Sequence, residues 1–282
     1  MSKLLKGAEV AAAICEKLVG RVETLKSHDI TPTLAMIRIG ARPDDIFYEN
    51  AAVKRLEKVG ATTVLHTLPI DITQAELLEI IQIINNDKNI HGVLILRPLP
   101  AHINDAVVRN ALSPKKDVDG ITDTSLSGIF VGVNTGFAPC TAQACIDMLD
   151  HFGYEVSGKH AVVVGRSLVV GKPLSMMLLN RNASVTVCHS YTKDIASVCR
   201  SADIIFSAAG KIGVITKNHV SPGQIIIDIG INVDTDGNMC GDVTEREVLP
   251  IVDALTAVPG GVGSVTTSVL AKHVVMAAER TL

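Results

Sequence analysis

Residues 161–179 read AVVVGRSLVVGKPLSMMLL, and the fold follows from this stretch. The apolar run before Gly165 predicts a short buried strand, a loop continues to Gly171, and a helix is predicted over about 172–180. The next predicted strand, Ser184–Cys188, starts about twenty residues after the first one ends, as in a mononucleotide-binding βαβ unit. In such a unit, the loop and the helix N terminus offer backbone N–H groups to a phosphate.

The glycine spacing alone leaves two readings, a phosphate site or a tight strand-to-helix turn, because it departs from G-x-G-x-x-G. Arg166 and Ser190 favour the phosphate site, since both follow strand ends, where open α/β sheets bind ligands. The Arg166 guanidinium could hold a ribose 2′-phosphate through two hydrogen bonds. No acidic residue ends the Ser184–Cys188 strand, so NADP is favoured and NAD is the alternative.

The N-terminal half alternates predicted helices and strands. The helices are predicted over residues 8–27, 44–59 and 74–86, and the strands over 33–40, 61–68 and 91–96. Asp44 or Asp45 is expected to cap the second helix, which Gly60 ends, and Thr73 with Glu76 has the spacing of a capping box. This alternation predicts a parallel sheet with right-handed crossovers.

A loop-rich segment, residues 113–139, follows, and we expect the domain boundary there. Beyond it we predict a helix over 140–152, strands over 204–207 and 225–229, and a final helix after the glycine-rich turn Pro259–Gly263. The predicted fold class is therefore α/β.

Composition narrows the function. The 282 residues are 47% hydrophobic and 20% charged, which excludes a disordered chain. A net charge of −3 argues against a nucleic-acid-binding protein, which usually carries a basic stripe. With no Trp, 5 Phe and 3 Tyr, the core must be aliphatic, as in parallel strands buried on both faces.

The cysteines and the N terminus predict the compartment. None of the six cysteines forms a C-x-x-C pair, so we expect reduced thiols, no structural metal and a cytoplasmic protein. The N terminus has no signal-like apolar region, and no apolar stretch is long enough to span a membrane.

A second group of candidate residues lies in the N-terminal half. Tyr48, Ala52 and Arg55 share one face of a predicted helix, residues 96–100 (LRPLP) end a strand, and residues 114–120 (PKKDVDG) begin the loop-rich segment. Taken singly, each is also explained as a solvated surface feature. Together they cluster where α/β folds place chemistry.

Taken together, these segments resemble the bifunctional 5,10-methylenetetrahydrofolate dehydrogenase/cyclohydrolase family (FolD type) of one-carbon metabolism. The matching segments, in the family's order, are residues 40–60, 92–100, 116–120, 139–141, 165–173, 188–192, 228–232 and 259–263. The resemblance implies a homodimer with two domains in each chain. A folate-binding α/β domain (1–138 with 264–282) and a Rossmann-like NAD(P)-binding domain (139–263) would form a cleft between them.

The resemblance also assigns site residues. Tyr48, Arg97 and Asp119 occupy catalytic positions, with Tyr48 beside the folate and Asp119 holding the pterin ring. The further folate-binding positions are Leu96, Pro98, Gly260, Gly261 and Gly263. The cofactor-binding positions are Gly165, Arg166, Ser167, Gly171, Ser190, Ile231 and Thr266. His189 is interpreted as a structural residue at a strand end.

Two departures from the family matter most. The family's Tyr-x-x-x-Lys has Ala52 in place of the proton-transferring lysine, and Arg97 stands where a glutamine normally contacts that lysine. Lys54 does not replace it, since two residues at about 100° each put it on another face of the helix. Smaller departures are Ala142, Ser264 and Val265.

The departures affect the two family reactions differently. Hydride transfer from methylenetetrahydrofolate needs orientation and tolerance of a methenyl cation, whereas cyclohydrolysis needs proton transfer. We therefore expect an NADP-dependent dehydrogenase with weak or no cyclohydrolase activity. Alternatives are a fully bifunctional enzyme that uses other groups, and a repurposed homologue acting on another one-carbon carrier. A further hypothesis pairs Arg97 with Asp119 or with a folate carboxylate.

Overall fold

The computed structural model describes residues 2–282, and every element below lies in that range. The strands are β1 Lys3–Leu5, β2 Thr33–Ile39, β3 Thr62–Leu68, β4 Gly92–Ile95, β5 His160–Val164, β6 Ser184–Cys188, β7 Ile204–Ser207, β8 Ile225–Asp228, β9 Asn232–Val233, β10 Met239–Cys240 and β11 Ala254–Thr256. The α-helices are α1 Gly7–Lys26, α2 Pro43–Val59, α3 Gln74–Asn86, α4 Asp105–Ala111, α5 Asp123–Val131, α6 Cys140–Phe152, α7 Gly171–Leu179, α8 Ile195–Arg200, α9 Glu245–Val248 and α10 Val262–Glu279.

The chain divides into two compact units. The three-strand unit comprises Ala12–Cys140 with Thr267–Leu282, and its sheet has the order β3-β2-β4. The six-strand unit comprises the segment ending at Ala11 with Thr141–Thr266, and its main sheet has the order β1-β11-β8-β7-β5-β6. Neighbouring strands are parallel in both sheets, which confirms the predicted α/β class.

The core is aliphatic, as the composition requires. In the three-strand unit, Ala35, Ile37 and Ile39 of the central strand pack with isoleucines and leucines of α3. In the six-strand unit, Val162 and Val164 of β5 pack with Ile205 and other apolar residues. Central strands covered on both faces explain the uninterrupted apolar runs in the sequence.

The predicted helix ends are partly correct. The capping box is present, with the Glu76 N–H donating to Thr73 Oγ1 (3.2 Å) and the Thr73 N–H to Glu76 Oε2 (2.9 Å). Gly60 ends α2 with a φ of 83°. The proposed cap at Asp44 or Asp45 is wrong, because Arg42 is the N-cap residue. Both aspartates lie in the first turn, where their negative charges interact favourably with the helix dipole.

The loop-rich segment and the N-terminal segment are among the regions that differ from the expected organisation. The loop-rich segment 113–139 contains α5. Thr122 is the N-cap residue of this helix, and Gly132, in the left-handed conformation, is its C-cap residue. The N-terminal segment was expected in the first domain (1–138), but β1 pairs with β11 in the six-strand unit, where Lys3 is opposite Ala254. This strand pairs through backbone hydrogen bonds. With only three residues, it has no side-chain pattern from which the pairing could be predicted. No helix within residues 2–282 is long and apolar enough to cross a membrane.

The central strand gives a stability prediction. Ile37 has no exposed surface, so Ile37→Ala should leave a cavity and lower the free energy of unfolding by about 2–5 kcal/mol. Urea denaturation followed by circular dichroism measures this. Ile83→Ala on α3 is the control, because Ile83 is 69% exposed and its truncation should have a far smaller effect. Equal effects of the two variants would contradict this account of the core.

Candidate active site

The parallel strands β2 and β4 end at one edge of their sheet, and the segments after them carry predicted site residues. α2 follows β2 and carries Tyr48, which is half-buried, and Ala52, which has no exposed surface. Arg42, before α2, donates from Nη1 to the Pro98 carbonyl (3.2 Å), so the start of this helix lies against the segment after β4. Position 52 therefore presents a buried methyl group and no group that can carry a proton.

The Asp117–Gly120 turn lies beside β4, because the Val93 N–H donates to the Lys116 carbonyl at 2.7 Å. Asp117 has no exposed surface. Its carboxylate accepts hydrogen bonds from the N–H groups of Ile121 (2.9 Å) and Thr122 (2.8 Å) and from the hydroxyl of Ser125 (2.6 Å). Asp117 thereby holds the turn that carries Asp119.

Asp119 has an unusual acidity. Loss of solvation raises the pKa of Asp119 to about 6, and the nearby Asp117 carboxylate acts in the same direction. A hydrogen bond with the Cys140 thiol and the positive charge of Arg97 lower the pKa again. Two of the predicted catalytic residues, Arg97 and Asp119, therefore interact electrostatically. A carboxylate with this pKa can exchange a proton near neutral pH.

The bidentate partner of Arg97 is Asp105, not Asp119 as one hypothesis predicted. Arg97 donates from Nε to Oδ1 and from Nη2 to Oδ2 of Asp105, both at 2.7 Å. Asp105 opens α4 and also accepts from Nε of Arg109 at 3.0 Å. Because Asp105 lies only eight positions from Arg97 and at a helix start, it competes successfully for the guanidinium.

In the six-strand unit, the phosphate-site candidates lie at a topological switch point. β5 is flanked by β6 on one side and β7 on the other, so a crevice is expected beyond the ends of β5 and β7. Gly165 has a φ of 129°, and a Cβ there would overlap the Ala208 carbonyl. A Cβ at Gly171 would overlap the Gly165 carbonyl. Both glycines are therefore required by close backbone contact, and Ser167 Oγ accepts the Val170 N–H (3.1 Å) within the same loop.

Three exposed side chains surround this crevice. Arg166 and Ser190 are exposed, and the Arg166 guanidinium carbon lies 5.8 Å from the centroid of the Tyr191 ring. Tyr191 is 81% exposed and was missed by sequence reasoning, although it is adjacent to Ser190. His189 accepts the Tyr191 N–H at Nδ1 (3.2 Å), which supports its structural interpretation. The exposed cation, hydroxyl and ring fit the phosphate and ribose of a dinucleotide.

Asp242 is a further residue that sequence reasoning missed. It has no exposed surface, and its carboxylate accepts five hydrogen bonds. The donors are the N–H groups of Ala209 (2.7 Å), Gly210 (3.2 Å) and Lys211 (2.9 Å), the Ser207 hydroxyl (3.2 Å) and the Asn232 amide (3.0 Å). Asp242 therefore shapes the loop after β7, against which Gly165 packs. Within residues 2–282, no three His, Cys, Asp or Glu side chains are placed to hold a metal ion.

The glycine-rich turn before α10 lies near two predicted cofactor residues. A Cβ on Gly263 would lie 3.5 Å from Cδ1 of Ile231, and Thr266 Oγ1 donates to the Gly263 carbonyl at 3.0 Å. Gly260 has a φ of 99°. Ser264 donates to the Gly261 carbonyl at 2.7 Å, a bond that proline could not make, whereas nothing in the structure explains Ala142 or Val265.

Comparison with known families matches both parts of the chain. Residues 5–119 match the family described as tetrahydrofolate dehydrogenase/cyclohydrolase, catalytic domain. Residues 139–282 match the same family's NAD(P)-binding domain. These matches agree with the resemblance found in the sequence motifs.

Individual relatives cover nearly the whole chain. The bifunctional protein FolD of Carboxydothermus hydrogenoformans is 47% identical over 281 residues, which are 99% of this chain and 98% of the relative. The bifunctional FolD dehydrogenase/cyclohydrolase of Campylobacter jejuni has a crystal structure that is similar with a TM-score of 0.98, at 36% identity and with 100% of each chain covered. The Trypanosoma brucei FolD, complexed with NADP and an inhibitor, is similar with a TM-score of 0.94, at 32% identity over 99% of this chain and 98% of that one.

The glycine loop gives a binding prediction. Gly165→Ala should weaken NADP binding at least about 10-fold, because the new methyl group must displace the Ala208 carbonyl at the crevice. Isothermal titration with NADP⁺ measures the change. Gly158→Ala is the matched control, since Gly158 also has a positive φ (73°) but has no atom within 4 Å of the added Cβ. Unchanged affinity in a folded Gly165→Ala protein would contradict a nucleotide site at this loop.

Proposed function

Because the chain belongs to the tetrahydrofolate dehydrogenase/cyclohydrolase family, we propose that it oxidises 5,10-methylenetetrahydrofolate with NADP⁺ and has little or no cyclohydrolase activity. The observation that carries the proposal is the fully buried methyl group of Ala52 at the position of the family's proton-transferring lysine. The hydride-transfer half of the chemistry does not need that lysine, and the hydrolytic half does.

Dehydrogenation leaves the folate carbon as a methenyl cation, while NADP⁺ supplies the hydride acceptor. Asp119 would hold the pterin ring, and its ionised carboxylate would stabilise the growing positive charge. Since the pKa of Asp119 is about 6, most of this group is ionised above neutral pH. Further folate-binding positions are proposed in each unit: Tyr48, Leu96 and Pro98 in the three-strand unit, and Gly260, Gly261 and Gly263 in the six-strand unit.

Cyclohydrolysis adds water to the methenyl cation and opens the ring, and a positioned proton carrier typically contributes about 10²–10⁴-fold in rate to such a step. Ala52 has no such group. Arg97 does not substitute for it, because guanidinium stays protonated and both donors of its fork are bound to Asp105.

A second candidate function is supported by Asp119 itself. Its pKa of about 6 suits proton exchange near neutral pH, so a bifunctional enzyme could use this carboxyl in place of the lysine. The related proteins named bifunctional also favour this candidate. The two candidates differ in one measurable property, the rate of methenyltetrahydrofolate hydrolysis.

The preference for NADP over NAD is supported by the crevice of the six-strand unit. Arg166 and Ser190 are exposed and follow the ends of β5 and β6, which supports a role in binding a 2′-phosphate, and His189 rather than an acid follows β6. The remaining positions proposed to hold the dinucleotide are Gly165, Ser167, Gly171, Ile231 and Thr266.

We also propose that the chain forms a homodimer, as the family resemblance implies. β3 is an edge strand in the three-strand sheet, and Val64 and Leu65 on it are 38% and 48% exposed. An edge strand with exposed apolar residues is a surface that a second copy could cover.

Paired assays test the main proposal. With methylenetetrahydrofolate and NADP⁺, the protein should produce reduced nicotinamide, and it should do so less efficiently with NAD⁺. With methenyltetrahydrofolate, decay should stay within about 10-fold of the buffer rate, because the proton carrier is missing. Faster decay would contradict the main proposal and support the bifunctional candidate, and its loss in Asp119→Asn at saturating methenyltetrahydrofolate would assign the proton transfer to Asp119. Absence of both activities would favour another one-carbon carrier.

Restoring the family's residues should restore hydrolysis. In Ala52→Lys/Arg97→Gln, the lysine and its glutamine partner return together, and decay of methenyltetrahydrofolate should rise about 10²-fold or more. Ala51→Lys/Arg97→Gln is the matched control, since it adds the same lysine about 100° away around α2. A folded first variant that retains dehydrogenase activity without any gain in hydrolysis would contradict the role assigned to position 52.

A further inference from the structure

Arg97 belongs to a built ion network after β4. Its guanidinium binds Asp105 through two bonds of 2.7 Å, and Asp105 also accepts from Arg109 at 3.0 Å. Arg109 in turn donates from Nη1 to Asp123 at 2.7 Å and to the Ile121 carbonyl at 3.1 Å. The network contains two guanidinium groups and two carboxylates, so its formal charge is zero.

The geometry fixes Asp105 from both sides. Arg97 and Arg109 approach its carboxylate from different segments of the chain, and the side chain of Arg109 is only 12% exposed. Asn104 caps α4 by accepting the Ala106 N–H at 3.0 Å, which holds the backbone at the start of this helix. If the Asp105 carboxylate turned away, Arg97 and Arg109 would each lose an ion-pair partner at a partly buried position.

The bond between Asp105 and Arg97 offsets a positive charge that would otherwise disfavour hydride transfer. Arg97 follows β4, and the turn that carries Asp119 lies beside the same strand, where the Val93 N–H donates to the Lys116 carbonyl at 2.7 Å. The charge of Arg97 acts on Asp119, and the folate carbon that Asp119 would hold becomes cationic during hydride transfer. An uncompensated guanidinium in this segment would repel that cation, and poor solvation would strengthen the repulsion. A carboxylate bound directly to the guanidinium cancels most of the electric field that the guanidinium would exert on the methenyl cation.

We propose that Asp105 is a positioning and charge-compensating residue for dehydrogenation, which binds Arg97 so that its cation does not oppose the methenyl cation. The inference rests on the proposed dehydrogenase function. Asp105 acts through Arg97 and is not assigned contact with the folate. Its removal should therefore lower kcat more than it raises KM, because the repulsion grows only as charge develops.

The pH profile gives an independent readout of the freed charge. The charged and titratable groups that act on Asp119 are Asp117 on its own turn, Cys140 at the start of α6 and Arg97 after β4. Cys140 is in turn near His273 and Lys272 of α10. Of these, only Arg97 changes its partner when Asp105 is replaced, so its freed charge should move the pKa of Asp119 downwards.

The test is Asp105→Asn, alone and with Arg97→Gln, in the full chain. The single variant should lose at least about 10-fold in kcat for methylenetetrahydrofolate oxidation, and the acidic limb of its pH profile should move to lower pH. Arg97→Gln/Asp105→Asn should recover to within about 3-fold of Arg97→Gln, because the charge that needed compensation has gone. A loss due only to weakened α4 would persist in the double variant.

Glu279→Gln is the matched control. Glu279 binds Arg21 through the same two guanidinium atoms, at 2.7 and 2.6 Å, so this variant loses an equal ion pair and should keep wild-type kinetics. An active wild type with an unchanged Asp105→Asn variant, or a double variant that stays impaired, would overturn the inference. An inactive wild type would overturn the proposed function, and the two failures are thus distinguishable.

Discussion

Buried carboxylates that bind loop backbone are the interaction on which the candidate site loops of each unit depend. Beyond the ends of parallel strands, backbone N–H groups leave the hydrogen-bonded ladder and need new acceptors. Asp117 in the three-strand unit and Asp242 in the six-strand unit have no exposed surface, and each accepts from several such groups. Two loops of irregular shape are thereby held rigidly where chemistry is expected.

These carboxylates also explain the glycines around them. Gly230 and Gly241 carry no side chain because a Cβ would overlap Asp242 and Asp228, respectively. Asp228 accepts the N–H groups of Gly230 (3.0 Å), Asp242 (3.0 Å) and Val243 (2.9 Å), so each aspartate helps to position the next. The loop after β7 and the loop after β5 meet where Gly165 contacts Ala208, which makes the crevice a product of this chain of bonds.

In the three-strand unit, the proposed loss of one residue is accompanied by a second change. We propose that Ala52 and Arg97 stand in place of the family's lysine and glutamine, so the local change is the loss of one proton carrier and the relocation of one cation. The relocated cation is bound by Asp105, and the network around it is neutral. The neutral network fits a site that retains hydride transfer. A free positive charge would destabilise the methenyl cation, whereas a rigid neutral environment would not.

The sequence by itself determined the main alternation of helices and strands, the glycines at 165 and 171, and the absence of a lysine at position 52. These features are local, because hydrophobic periodicity and residue identity are properties of neighbouring positions. Only the tertiary structure decided that β1 pairs with β11, that Asp105 binds Arg97, and that Asp242 binds the loop after β7. Strand pairing and competition between acceptors depend on which groups meet in space, and no spacing in the sequence specifies that meeting.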